Sequence, residues 1–229
     1  MTNKTYDLKK DERYLQLLSQ SFPTIADAST EIINLQAILN LPKGTEHFLA
    51  DIHGEHEAFQ HVLKNASGNI KRKVNDLFGD TLRESEKREL CTLIYYPEQK
   101  IELVKQTETD IEDWYHIAIH RLVRICRDVS SKYTRSKVRK SLPVEFSYII
   151  QELLHESSAD KDKSDYVSAI ISTIISTGRA DDFITTICNV IQRLAIDSLH
   201  ILGDIYDRGP GAHVVMDILK NYHTWDITW

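Results

Sequence analysis

The sequence predicts an α/β fold: an incomplete β-sheet layer with helices, interrupted by a large helical insertion. Two apolar runs, at residues 47–50 and 197–202, each end in a polar, glycine-containing loop that leads into a helical pattern. The loops read Asp51-Ile52-His53-Gly54 and Gly203-Asp204-Ile205-Tyr206-Asp207-Arg208-Gly209. Between them, from about residue 70 to 195, apolar residues recur at helical spacing and never alternate long enough to make a strand.

In chain order, residues 7–20 and 24–40 carry apolar side chains at helical spacing, as in Ile25, Ile32, Ile33, Leu35, Ile38 and Leu39, and form a helical hairpin broken at Pro23. Leu41-Pro42-Lys43-Gly44 ends it, and His47-Phe48-Leu49-Ala50 makes a short buried strand. Residues 55–65 form a helix with Phe59, Val62 and Leu63 on one face. The insertion holds Trp114, Ile117, Ile119, Leu122, Val123 and Ile125 in one helix and Phe146, Ile149, Ile150, Leu153 and Leu154 in another, with two more at about 164–177 and 181–195. Residues 212–220 form a helix after the second loop, and 225–229 begin a third strand. The expected organisation is 1–69, the N-terminal helices and first strand–loop–helix; 70–195, the insertion; and 196–229, the second strand–loop–helix, truncated at the third strand.

A chain of 229 residues with 41% hydrophobic content buries a substantial core. Its formal charge of -6 argues against a surface built to bind nucleic acid. Cys91, Cys126 and Cys188 are odd in number and far apart in apolar helical contexts, which argues against a disulfide framework and fits a reducing cytoplasm. The N-terminus lacks the apolar core of a signal peptide, and no stretch approaches the roughly 20 apolar residues of a membrane span. Oligomeric state is open, a homo-oligomer included.

An aspartate and a histidine one residue apart, on a loop leaving a buried strand, place a carboxylate oxygen and an imidazole nitrogen on one cation. Alone, Asp51 and His53 are a weak signal, since Asp51 could cap the next helix and His53 could be a turn residue. The second motif changes the balance: Gly203 turns the backbone, Asp204 leaves a strand at the same sheet edge, and Asp207 and Arg208 follow. Hydrolysis of a phosphate ester needs an activated water and neutralised phosphoryl oxygens, which two metals about 3.5–4 Å apart supply with a shared carboxylate. Asp204 is the natural bridge and Arg208 the planar fork for phosphate. Asp207 suits a supporting role, orienting a histidine acid.

These residues resemble the calcineurin-like metallophosphoesterase superfamily, whose signature is Asp-x-His, then Gly-Asp-x-x-Asp-Arg-Gly, then Gly-Asn-His. The longer strings at 48–59, 65–68 and 202–210 resemble class 3 fructose-1,6-bisphosphatase, a manganese-dependent enzyme of bacterial gluconeogenesis. The resemblance implies a metallophosphoesterase core, a sugar bisphosphate as substrate, and removal of its 1-phosphate by metal-activated water. It makes Asp51, His53 and Asp204 the metal ligands and Asp207 and Arg208 the catalytic residues, Arg208 also binding substrate. Family members are longer, and the remaining ligands would follow Trp229. The two-metal manganese site is therefore expected to be incomplete here, and the chain an inactive N-terminal fragment. Other readings of the same motifs are a phosphatase for a phosphoprotein or nucleotide, and a non-catalytic binding or assembly module.

The segment 121–140 carries Arg121, Arg124, Arg127, Lys132, Arg135, Lys137, Arg139 and Lys140 against the single acid Asp128. It reads as a solvated face of the insertion, with an anion-binding surface as the functional alternative. His56 is expected to be an exposed first-turn residue rather than a third ligand, His200 a packed strand residue, and Trp114, Trp225 and Trp229 core residues.

Overall fold

The computed structural model describes residues 8–155, 161–222 and 225–227. It divides into two units, Met1–Pro42 and Lys43–Trp229. The first holds α1 (Leu8–Ser21) and α2 (Ile25–Ile38). Helix α2 starts at a reciprocal cap: the Asp27 amide donates to Thr24 Oγ1 at 3.1 Å and the Thr24 amide to Asp27 Oδ2 at 3.2 Å. The break foreseen at Pro23 falls at that cap.

The second unit holds β1 (Glu46–Leu49), α3 (His56–Asn65), α4 (Asn69–Phe78), α5 (Glu84–Tyr95), α6 (Pro97–Thr107), α7 (Ile111–Ser130), α8 (Arg135–Ser141), α9 (Ser147–His155), α10 (Lys161–Ser176), α11 (Ala180–Ala195), β2 (Ser198–Ile201), α12 (Ala212–Asn221) and β3 (Trp225–Ile227). Trp229 lies outside the described residues. The fold is α/β, dominated by helix. The strands form a parallel sheet in the order β1-β2-β3, with Phe48 opposite His200 and Leu49 opposite Ile201. Each step along the sheet goes the same way, and α3 and α12 pack on one face of it. On that face Leu199 and Ile201 meet Phe59 and Leu63 of α3 and Val215 and Leu219 of α12.

The insertion has its own core. Helix α11 lies at its centre with Phe183, Ile184, Ile187 and Ile191 fully buried, and α7 adds Ile119, Leu122 and Ile125. Phe146 meets Phe183 edge-on at 5.3 Å. Trp114 packs partly buried against this cluster, and the three cysteines are buried free thiols.

The basic segment is in part the solvated face the sequence suggested, with Arg124, Arg135, Lys137, Arg139 and Lys140 exposed, but several of its cations have partners. Arg121 pairs with Glu86 at 2.8 Å, Arg124 lies over the Phe78 ring at 4.7 Å, and Arg127 donates to the Leu153 and Leu154 carbonyls. Lys132 and Lys137 both reach Asp197, at 2.7 and 3.1 Å. The Thr45 amide also donates to Asp197, at 2.7 Å, so this carboxylate ties the insertion to the starts of β1 and β2. A helix whose far side meets other helices uses its cations to satisfy carbonyls, carboxylates and rings, which charge counting along a sequence does not reveal.

Candidate metal centre

Open parallel sheets expose their ligand-binding loops at the carboxyl ends of the strands, and both motifs leave the sheet there. The β1–α3 and β2–α12 loops are joined by backbone hydrogen bonds: His53 N–H donates to Asp204 O at 2.6 Å, Gly209 N–H to His53 O at 2.7 Å and Gly211 N–H to Gly54 O at 3.1 Å. Approach this close leaves no room for side chains. A Cβ on Gly54 would stand 2.5 Å from the Gly209 carbonyl oxygen, and one on Gly209 would collide with the His53 carbonyl.

The loops are also strained. Among the described residues Asp51, His53, Ala66, Ser67, Asp204 and Arg208 are the non-glycine residues with positive φ, at 53°, 49°, 53°, 48°, 53° and 70°. Four of the six are residues singled out from the motifs. Left-handed backbone costs an L-residue roughly 1–2 kcal/mol and persists where surrounding contacts over-determine it, as active sites do. Periodicity carries no signal for this; the glycines beside each motif were the only hint.

The strain brings ligand atoms together. Asp51, His53 and Asp204 each offer one donor atom, and the three lie within 4.8 Å of one another. His53 Nε2 is 3.6 Å from Asp51 Oδ1, close to the roughly 3–3.5 Å that separates two ligands on one cation. The opposite ring atom, Nδ1, is buried and makes no hydrogen bond, its near neighbour being Asp207 Oδ2 at 3.3 Å. Arg208 Nε is 3.1 Å from the same oxygen, with its side chain largely exposed at the mouth of the site. One nitrogen, two carboxylates and an open approach fit a divalent transition metal. All five residues drawn from the motifs thus meet in one place.

Neighbouring histidines divide. His56 is half-buried against the second loop, where a Cβ on Gly211 would collide with its ring; it is neither part of the cluster nor the exposed residue expected. The cause is the loop clasp, which lays Gly211 over the first turn of α3. His200 is a packed strand residue as expected, stacked on Phe48 at 4.5 Å.

The sequence profile described as Firmicute fructose-1,6-bisphosphatase matches residues 13–229. The chain belongs to this fructose-1,6-bisphosphatase family. Among its relatives, the fructose-1,6-bisphosphatase class 3 of Bacteroides thetaiotaomicron is 76% identical over 219 residues, 96% of this chain and 33% of that protein. The Bacteroides fragilis protein of that name is 75% identical, with the same shares of 96% and 33%. A Clostridium beijerinckii protein named fructose-1,6-bisphosphatase class 3 1 is 64% identical over 99% of this chain and 35% of its own length. The chain thus spans about a third of the length of these curated relatives. No solved structure matches it.

Proposed function

We propose that this chain carries part of a two-metal centre that hydrolyses fructose 1,6-bisphosphate to fructose 6-phosphate and phosphate, the step its relatives' names describe, in bacterial gluconeogenesis in the cytoplasm. The observation that carries this reading is the convergence of Asp51, His53 and Asp204 at the carboxyl edge of a parallel sheet. In it, residues 1–69 and 196–229 belong to a metallophosphoesterase core, and 70–195 is an insertion within that core. No described helix is long and apolar enough to cross a membrane, in keeping with a soluble sugar bisphosphate as substrate.

Asp51 and His53 would hold one manganese ion, with Asp204 reaching both this ion and a second. Such ions, when bound, neutralise phosphoryl oxygens and lower the pKa of a water toward ~7. Asp207, 3.3 Å from His53 Nδ1, would fix the imidazole tautomer by accepting a hydrogen bond there when the cation binds, so that Nε2 keeps its lone pair for it. Arg208, tethered through Nε to Asp207, keeps its terminal nitrogens free to fork onto a phosphate at the mouth of the site. The described residues offer three ligands in one cluster, so the isolated chain is expected to bind manganese weakly and turn over little.

The test is a fusion of this chain to the unmatched two thirds of the Bacteroides thetaiotaomicron relative. Manganese-dependent phosphate release from fructose 1,6-bisphosphate is expected, and Asp204→Asn should lower it by about 100-fold or more. Release that survives the substitution would refute the site; preferential release from a phosphopeptide or a dinucleoside polyphosphate would refute the substrate.

A further inference from the structure

Helix α11 is the buried centre of the insertion, and its exposed residues are Asp182, Asn189 and Arg193. Asn189 and Arg193 stand four positions apart, so their side chains lie one above the other on a single face. Gln60 and Lys64 of α3 have the same spacing. The two pairs line one groove of about 300 Å³, whose apolar part includes Leu63 and Ile218. No carboxylate lines it, although the chain as a whole carries a formal charge of -6. Asp182 sits in the first turn of α11 and Arg193 in the last, on the order of 16 Å apart along the axis, and Asp182 is tied to Arg179 at 2.9 Å. The Lys64 ammonium is held over the Tyr96 ring, 4.6 Å from its centroid, a contact that positions the cation without neutralising it. Among the described residues neither Lys64 nor Arg193 has a carboxylate partner, and the side-chain amides of Gln60 and Asn189 are not engaged in hydrogen bonds.

We infer that this groove binds a phosphorylated polyol, with the phosphate on Lys64 and Arg193 and the hydroxyl groups on the amides of Gln60 and Asn189. A guanidinium fork beside an ammonium neutralises a phosphate dianion, and a side-chain amide offers the donor and the acceptor that a hydroxyl group needs. The groove is at the small end of ligand sites, which suits a single sugar-sized body. It is separate from the metal centre. Helices α3 and α12 begin at the two metal loops, whereas Lys64 and Ile218 lie toward their other ends, Lys64 about 12 Å along α3 from His56. A ligand held by Lys64 and Arg193 ties α3, and with it the loop of Asp51 and His53, to the central helix of the insertion. The inference does not depend on the substrate proposed for the metal centre.

The test is titration of this chain with glucose 6-phosphate in the presence of a metal chelator, followed by calorimetry and by nitrogen–proton correlation NMR of the Gln60 and Asn189 side-chain amides. Saturable binding with a Kd below about 1 mM is expected, with both amide signals shifted. The double variant Lys64→Gln, Arg193→Gln should weaken it at least about tenfold. Arg208→Gln, at the metal centre, should leave it within about twofold, because the two sites share no residue. If the double variant does not fold, Asn189→Asp, which sets a carboxylate beside Arg193, replaces it with the same loss expected. No saturation by about 10 mM would overturn the inference. So would binding that survives the substitutions in the groove or disappears with Arg208→Gln. Inorganic phosphate or citrate that binds as tightly as glucose 6-phosphate would overturn the assignment to a phosphorylated polyol. The same titration of the fusion described above should retain the site, and its loss there would overturn the site as a property of the longer polypeptide. Binding is read without metal or turnover, so this result and the phosphatase result fail separately.

Discussion

The insertion and the sheet that it interrupts are built on opposite principles. The insertion closes one continuous cluster from Ala66 to Ile196 around Phe183, Ile187 and Leu122. Among the described residues the sheet is held by a smaller buried cluster of Ile52, Phe59, Leu63, Leu199, Ile201, Val215 and Leu219, and its loops carry four of the six left-handed non-glycine residues. Stability and chemistry thus reside in different stretches of sequence: the helices hold the unit together, and the loops hold strain and ligands.

The contrast is broken most severely from the insertion side. Phe183→Ala, at a fully buried ring, is expected to cost about 3–5 kcal/mol in urea unfolding, whereas Val215→Ala under the sheet should cost about 2 kcal/mol. Equal losses would mean that the two regions share one core.

The joint between the regions comes next. Asp197→Ala leaves the Lys132 ammonium, 8% exposed, without its carboxylate and should cost about 3 kcal/mol. Burial pushes the Asp197 carboxyl up, but the Lys132 ammonium, the Tyr133 hydroxyl and the Thr45 amide outweigh it and bring the pKa from 3.8 to about 2. A carboxylate depressed on folding stabilises fully above its unfolded pKa and ceases to as pH falls through its folded one. Wild-type stability should therefore drop between about pH 4 and pH 2 more steeply than that of Asp197→Asn. Burial lowers the Lys132 ammonium's own pKa despite its partner, which keeps the net gain on the order of 1–2 kcal/mol.

Smaller effects sharpen the picture at the loops. Gly209→Ala pushes a methyl group into the His53 carbonyl and should weaken manganese binding by at least about tenfold, with a stability loss of about 1–3 kcal/mol seen in thermal melts. Arg124→Gln removes a cation from the Phe78 ring and should cost only about 0.5–1 kcal/mol.

What was legible in the sequence follows the same division. The strands at Glu46–Leu49 and Ser198–Ile201, α3, and the helices around 164–177 and 181–195 stand within a few residues of where apolar spacing put them, because burial of one face writes a period into the chain. Asp51, His53, Asp204, Asp207 and Arg208 were legible as motifs on matching loops. What escaped was long-range: the pairing of the basic segment with Glu86, Phe78 and Asp197, and the contact of Gly211 with His56. Each joins residues far apart in sequence, where no local period exists to announce the partner. The positive φ angles escaped too, since strain comes from what surrounds a residue rather than from its type.

The most direct measurement is calorimetric titration of this chain with manganese, beside Asp204→Asn and His53→Ala, with a thermal melt of each. Weak binding that either substitution abolishes while the melts stay within about 0.5 kcal/mol of the unsubstituted chain is the predicted result. Binding that survives both substitutions would place the cation elsewhere and contradict the centre assigned to these two loops.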